Sequence, residues 1–183
     1  MWDILPGVDF ASQELLRFDL HPAHPLYLAQ KYNLGNWIEG SIRRLIASPL
    51  ERYTNESTDT LPFTLYQIIA TAKEAISLDR MRLANHPPFP PHIDGQPYCS
   101  YHETCKRVWT EKWFYSMGRR IHNPTSPLPL LKIPDALEAM DHPGMNPECK
   151  VSILTWMRQS CAGVQREETT IQEVITTVRD MFM

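Results

Sequence analysis

The sequence predicts an all-α protein, and three observations carry that prediction. Apolar residues recur at helical spacing in roughly six segments, as one face of a 3.6-residue period requires. Alternating segments joined by a tight turn are missing, and the Asp-Gly pair Asp94-Gly95 lies inside a proline-rich stretch. Sixteen prolines stand against seven glycines, a ratio suited to proline-started helices and stiff connectors. The expectation is one irregular multi-helix domain over residues 1–183, with about seven to nine helices. Residues 1–84 form its N-terminal helical half, residues 85–97 a proline-rich connector, and residues 98–183 its C-terminal helical half.

The elements follow in order. Residues 11–20 place Leu15, Leu16 and Phe18 on one apolar side. Pro25 suits a first helical turn; Leu26, Ala29 and Tyr32 follow, and Gly35 is placed to close that helix. Asn36 then caps a helix carrying Ile38, Ile42, Leu45 and Ile46, which Pro49 stops. Thr54-Asn-Glu-Ser-Thr-Asp-Thr60 reads as a loop. From about Pro62, Leu65, Ile68, Ile69, Ala72 and Ile76 define a helix reaching about Leu83. Pro87, Pro88, Pro90, Pro91 and Pro97 exclude regular helix from the connector.

A long helix over residues 98–121 opens the second half and ends at His122-Asn-Pro124. Ile133, Ala136, Leu137 and Met140 then share a face of a short segment, and His142-Pro-Gly-Met-Asn146 forms a turn. Asn146-Pro147-Glu148 has the order of N-cap, N1 and N2. It opens a helix lined by Val151, Leu154 and Met157 and ended at Gly163. The last helix begins near Glu167-Glu168, whose charges suit an N-terminus, and carries Ile171, Val174, Ile175, Val178 and Phe182.

Composition narrows the function. Hydrophobic residues make up 43% and charged residues 21%, the balance of an ordinary globular protein. The net charge of −3 is spread over both signs. Arg119-Arg120 is the nearest approach to a basic cluster, and it reads as a helix C-terminal turn, so no nucleic-acid partner is expected. No segment approaches the roughly 20 apolar residues of a membrane span. The N-terminus lacks a basic region followed by a long apolar one, so an intracellular protein with reduced thiols is expected. Trp2, Ile4, Leu5, Val8 and Phe10 make the first ten residues an apolar segment that either folds back or marks an interaction patch.

One cluster stands out. Cys99-Ser-Tyr-His102-Glu-Thr-Cys105 places three soft metal ligands three residues apart, with Trp109 and Trp113 following at one-turn spacing. Cys149 is the one well-placed fourth thiolate, and Cys3His is an accepted ligand set for structural zinc. On a continuous helix, however, Cys99 and Cys105 diverge by roughly 120°. Convergence requires the helix to begin near Cys105, with the preceding residues wrapping round the ion. The other reading makes Cys105 the first step of the Trp109/Trp113 stripe, because free cysteine behaves as a small buried hydrophobe. Cys161 is a core thiol in both.

Several words of the sequence carry a resemblance. Ala11-Ser-Gln-Glu-Leu-Leu-Arg-Phe-Asp-Leu20, Leu26-Tyr-Leu-Ala-Gln-Lys-Tyr-Asn-Leu34 and Trp37-Ile38 come first. The Cys/His cluster with its tryptophans, Pro143-Gly-Met-Asn-Pro-Glu-Cys149 and an acidic start to the last helix come later. In this order they resemble the helical region that follows the BTB (POZ) domain in a large protein family of mushroom-forming fungi. The resemblance implies a BACK-like, all-helical module with a role in protein interaction and no enzyme activity. About ten residues precede Ala11, where a BTB fold needs roughly a hundred, so the helical region is expected without that domain.

The residues thus point to a non-enzymatic intracellular adaptor with protein partners, holding one structural zinc at Cys99, His102, Cys105 and Cys149 if the cluster is a metal site. A cysteine-dependent enzyme or redox sensor is the alternative, using Cys99 or Cys105 with His102. Nucleotide-binding, acyl-transfer and zinc-protease motifs are absent. Pro87-Pro-Phe-Pro-Pro91 is either a polyproline ligand or a stiff linker laid over the surface.

Overall fold

The computed structural model describes residue 14 and residues 20–48, 61–90, 99 and 101–182. The expected helix over residues 11–20, the apolar segment before it, the loop at residues 54–60 and residues 91–97 of the connector lie outside the described residues, residue 14 and Leu20 apart. Among the described residues every regular element is helical. Among the described residues six helices have ten residues or more, against seven to nine expected of the whole chain. They are α1 (Ala23–Tyr32), α2 (Asn36–Ala47), α3 (Phe63–Asn85), α4 (His102–Lys112), α7 (Pro147–Gln159) and α8 (Ala162–Phe182). Short pieces complete the order: a π-turn at Trp113–Met117 with α5 (Gly118–Ile121) after it, then a 3-10 turn at Leu130–Lys132 leading into α6 (Ile133–Glu138). No helix among the described residues is long and apolar enough to cross a membrane.

The chain divides into two compact units. The first comprises the described residues up to Thr71 and those from Glu173 onward, and the second runs from Ala72 to Gln172. In the first, α1 buries Ala23, Leu26 and Ala29, and α2 buries Trp37, Ile38, Ile42 and Leu45. Gly35 does not close α1. Asn33 does, in the left-handed conformation at φ 55°, with the Leu34 N–H returning to the Ala29 carbonyl at 2.9 Å. Asn tolerates that conformation because its short polar side chain bonds locally, which leaves Gly35 to start α2.

The second unit holds one core. Cys105, Trp109, Trp113, Met117 and Ile121 are all buried in it, along with Leu130, Ile133, Leu137, Ile153 and Met157. That row advances by four residues, so each step overshoots a helical turn by about 40°. A straight α-helix would swing the row out of the core. The π-turn at Trp113–Met117 widens the helix where the drift accumulates and keeps all five inside. The two indole N–H groups are satisfied: Trp113 donates to the carbonyls of Leu83 (3.1 Å) and Ala84 (3.2 Å), and Trp109 to that of Pro88 (3.0 Å).

Three expectations are corrected here, and one pair of alternatives, at the proline-rich stretch, is narrowed to the laid-down linker. The long helix begins at His102 rather than residue 98. Pro88 and Pro90 are buried, and Phe89 packs on the core under Lys106, so this part of the connector is laid down and not offered as a polyproline ligand. Val151 is exposed at 62%, because the buried row of α7 is Cys149, Ile153, Leu154 and Met157, and Val151 lies on the opposite side. Finally, Gly163 starts α8 instead of ending α7. A Cβ there would come within 3.2 Å of a Leu83 methyl, so glycine suits a close approach of the two segments. Glu167 is therefore inside α8, where it pairs with Arg80 at 2.5 Å and accepts the Leu130 N–H at 2.9 Å.

Candidate metal centre

Two local events bring the Cys/His residues together. First, Tyr101 precedes α4 at φ −132°, ψ 46°, outside the helical region. Cys99 likewise lies outside regular helix, so the divergence expected of Cys99 and Cys105 on a continuous helix disappears. Their sulfurs stand 3.7 Å apart. Second, Asn146 caps α7 by accepting the Glu148 N–H at 2.8 Å, as the Asn-Pro-Glu order predicts. Cys149 thereby falls in the first turn of α7, and its Sγ lies 3.6 Å from His102 Nδ1.

Ligand atoms of Cys99, His102 and Cys149 all lie within 4.8 Å of one another and could hold a metal ion. Cys105 stands outside that mutually close trio but touches it through Cys99. Zinc–sulfur bonds of about 2.3 Å and zinc–nitrogen bonds of about 2.0–2.1 Å at a tetrahedral angle place two sulfurs about 3.8 Å apart, and a sulfur and a nitrogen about 3.6 Å apart. The two observed contacts match these two edges, and between them they use all four residues. A disulfide would need about 2.05 Å, so neither contact is a covalent bond, and all four cysteines are free thiols.

The surroundings suit thiolates. The Tyr101 N–H points to Cys99 Sγ at 3.4 Å and the Asn146 N–H to Cys105 Sγ at 3.4 Å. Such backbone donors are the outer-shell contacts that orient metal ligands and tune their charge. Without a cation the sulfurs oppose one another's ionisation. Burial, then hydrogen bonds and charge from Cys99 and Cys105, push the Cys149 thiol up to about 12. The Tyr101 N–H draws the Cys99 thiol below its usual value. A bound divalent ion reverses this balance, because a coordinating thiol is deprotonated outright. Burial raises the Cys161 thiol as well, but that residue belongs to the core.

Three contributors were not legible in the sequence as parts of this site. The Tyr101 and Asn146 donors are backbone groups and carry no residue signature. His142 has only the sequence signature of a turn residue, yet it is buried and stacks on Trp109 at 5.7 Å between ring centroids. Its Nδ1 lies 3.0 Å from the Met140 carbonyl, so Nδ1 carries the proton and the buried Nε2 has no partner. Burial lowers its pKa from the ordinary histidine value. It fixes the flank of Trp109, one turn after Cys105.

No family model, curated protein or solved structure matches the chain.

Proposed function

We propose that this protein is a zinc-stabilised, all-helical module for protein association, in which Cys99, His102, Cys105 and Cys149 hold one structural zinc ion. The observation that carries the zinc is the pair of contacts, 3.7 Å between Cys99 and Cys105 and 3.6 Å between Cys149 and His102. Each has the length of one edge of a tetrahedral site, and Cys105, outside the mutually close trio of Cys99, His102 and Cys149, completes the set by approaching it. Four protein ligands leave no open position for substrate, which is the mark of a structural site. The ion would pin the start of α4 to the start of α7. The association role follows from the resemblance to the BTB-associated helical region and would use surfaces away from the ion.

A cysteine enzyme that uses Cys99 or Cys105 with His102 as its base is the weaker reading. The cysteine paired with His102 by geometry is Cys149, which is buried and whose thiol is pushed up to about 12. An activated nucleophile needs the opposite: an accessible thiol held low.

Metal content tests the proposal. Full-length protein purified without added metal should carry about one equivalent of zinc. Removing it with a chelator should lower the denaturant midpoint, since binding energy is folding energy in such sites. Folded protein that carries no metal and keeps its midpoint in chelator would overturn it.

A further inference from the structure

We propose that Cys99 and Cys105 are a peroxide-sensitive switch that releases the zinc by closing into a disulfide. The inference rests on the zinc site proposed above and concerns its regulation. Of the four thiols, Cys99 is the half-buried one, whereas Cys105, Cys149 and Cys161 are buried. An oxidant in solvent therefore meets Cys99 first. The sulfur in position to resolve it is Cys105, 3.7 Å away. Only about 1.7 Å of approach separates that contact from a bond of about 2.05 Å. Cys99 is held outside regular helix, so its side can give while Cys105 stays on α4.

The chemistry balances with a hydroperoxide as oxidant. The Cys99 thiolate attacks a peroxide oxygen; an S–O bond forms, the O–O bond breaks, and hydroxide leaves to become water. Cys99 is then a sulfenic acid. The Cys105 thiolate attacks that sulfur, the S–S bond forms, the S–O bond breaks, and a second hydroxide leaves as water. Two thiolates have given two electrons to one peroxide with uptake of two protons. Zinc keeps only Cys149 and His102, half of a tetrahedral set, and is released. The tie between the starts of α4 and α7 goes with it, so oxidation would be felt as a loss of stability.

Tryptic cleavage after Arg82 and Lys106 isolates residues 83–106, which contain Cys99 and Cys105 and no methionine. The disulfide therefore reads as one peptide lighter by two hydrogens, undisturbed by methionine oxidation. The experiment titrates zinc-loaded full-length protein with hydrogen peroxide. It follows released zinc with a chromogenic indicator and maps the cysteines at each point.

The expected result is zinc release in step with the lighter peptide, about one ion per disulfide. Dithiothreitol should reverse the disulfide and restore binding, while Cys149 and Cys161 stay reduced. Zinc retained while peroxide is in excess would overturn the switch. So would release with residues 83–106 unaltered, or a disulfide linking either cysteine to Cys149. Failure of the zinc site itself shows earlier, as protein without metal before any oxidant is added, and takes the switch with it.

Discussion

The buried row of α4 and its continuation closes differently at its two ends. At Trp113 and Met117 the packing is complete from the chain alone: both side chains are fully buried, and the one polar atom, the indole N–H, finds the carbonyls at the end of α3. At Cys105 the row meets two further sulfurs and an imidazole, all of them acid–base groups, in a corner where Cys149 is buried and Cys99 and His102 are half-buried. Neutral donors can be satisfied by backbone carbonyls. A thiol such as Cys149, buried among other sulfurs, resists ionisation without a cation and makes only weak hydrogen bonds while protonated. The first end is finished by packing; the second could hold an ion.

The largest test of this contrast is Trp113→Ala. Truncating a buried tryptophan costs about 3–5 kcal/mol, and the expected loss is the same with zinc bound and with zinc removed. Guanidinium unfolding of both forms checks it. A loss that shrinks sharply in the metal-free protein would mean that the two ends form one cooperative unit. A smaller effect comes from pH. In metal-free protein the Cys149 thiol ionises near 12, against a value of 9.0 outside the fold. A raised folded pKa contributes stability that is complete below about 9 and is lost as pH rises toward 12. With zinc bound, Cys149 is held as a thiolate, so that form gains stability as pH rises to about 9 and keeps it above. Groups elsewhere titrate alike in both forms. The advantage of the zinc-bound form should therefore widen as pH rises, below pH 9 because its own stability climbs and above pH 9 because that of the metal-free form falls, and parallel curves would break the comparison.

How much of this the sequence revealed follows from what kind of signal each part has. Helical periodicity is local and repeated, so the helical class and the faces of α2, α3, α7 and α8 are readable, apart from Val151 and the start of α8. That start was missed because Glu167-Glu168 looks like an N-terminal pair, whereas Glu167 meets Arg80, a partner 87 residues away. The four-residue spacing of Cys105, Trp109 and Trp113 is visible as a stripe, yet its continuation to Met117 and its consequence, a π-turn, depend on what the core demands. The Cys/His residues were all named from their chemistry. Their convergence was not derivable, since it depends on Tyr101 leaving the helical region and on where α7 docks. Backbone donors to sulfur leave no trace in residue identity at all.

The smallest effect tests the link between a helix cap and the candidate ion. Asn146 does two things: its side chain caps α7 through the Glu148 N–H, and its own backbone N–H points to Cys105 Sγ. Asn146→Ala removes the first and keeps the second. Loss of an N-cap costs about 1 kcal/mol, and Asn146→Ser should recover most of it, because serine caps as well. The cap also sets the first turn of α7, where Cys149 stands. Fraying there frees the Cys149 end of the tetrahedron while leaving Cys99 and Cys105 in place. In zinc-bearing protein, Asn146→Ala should thus raise the zinc dissociation constant severalfold, and the serine variant should restore it. A competition titration against a chelating dye reads that constant directly. If the alanine variant loses its cap energy but binds zinc as tightly as the parent, Cys149 is held by the core packing of α7 and not by its capped first turn.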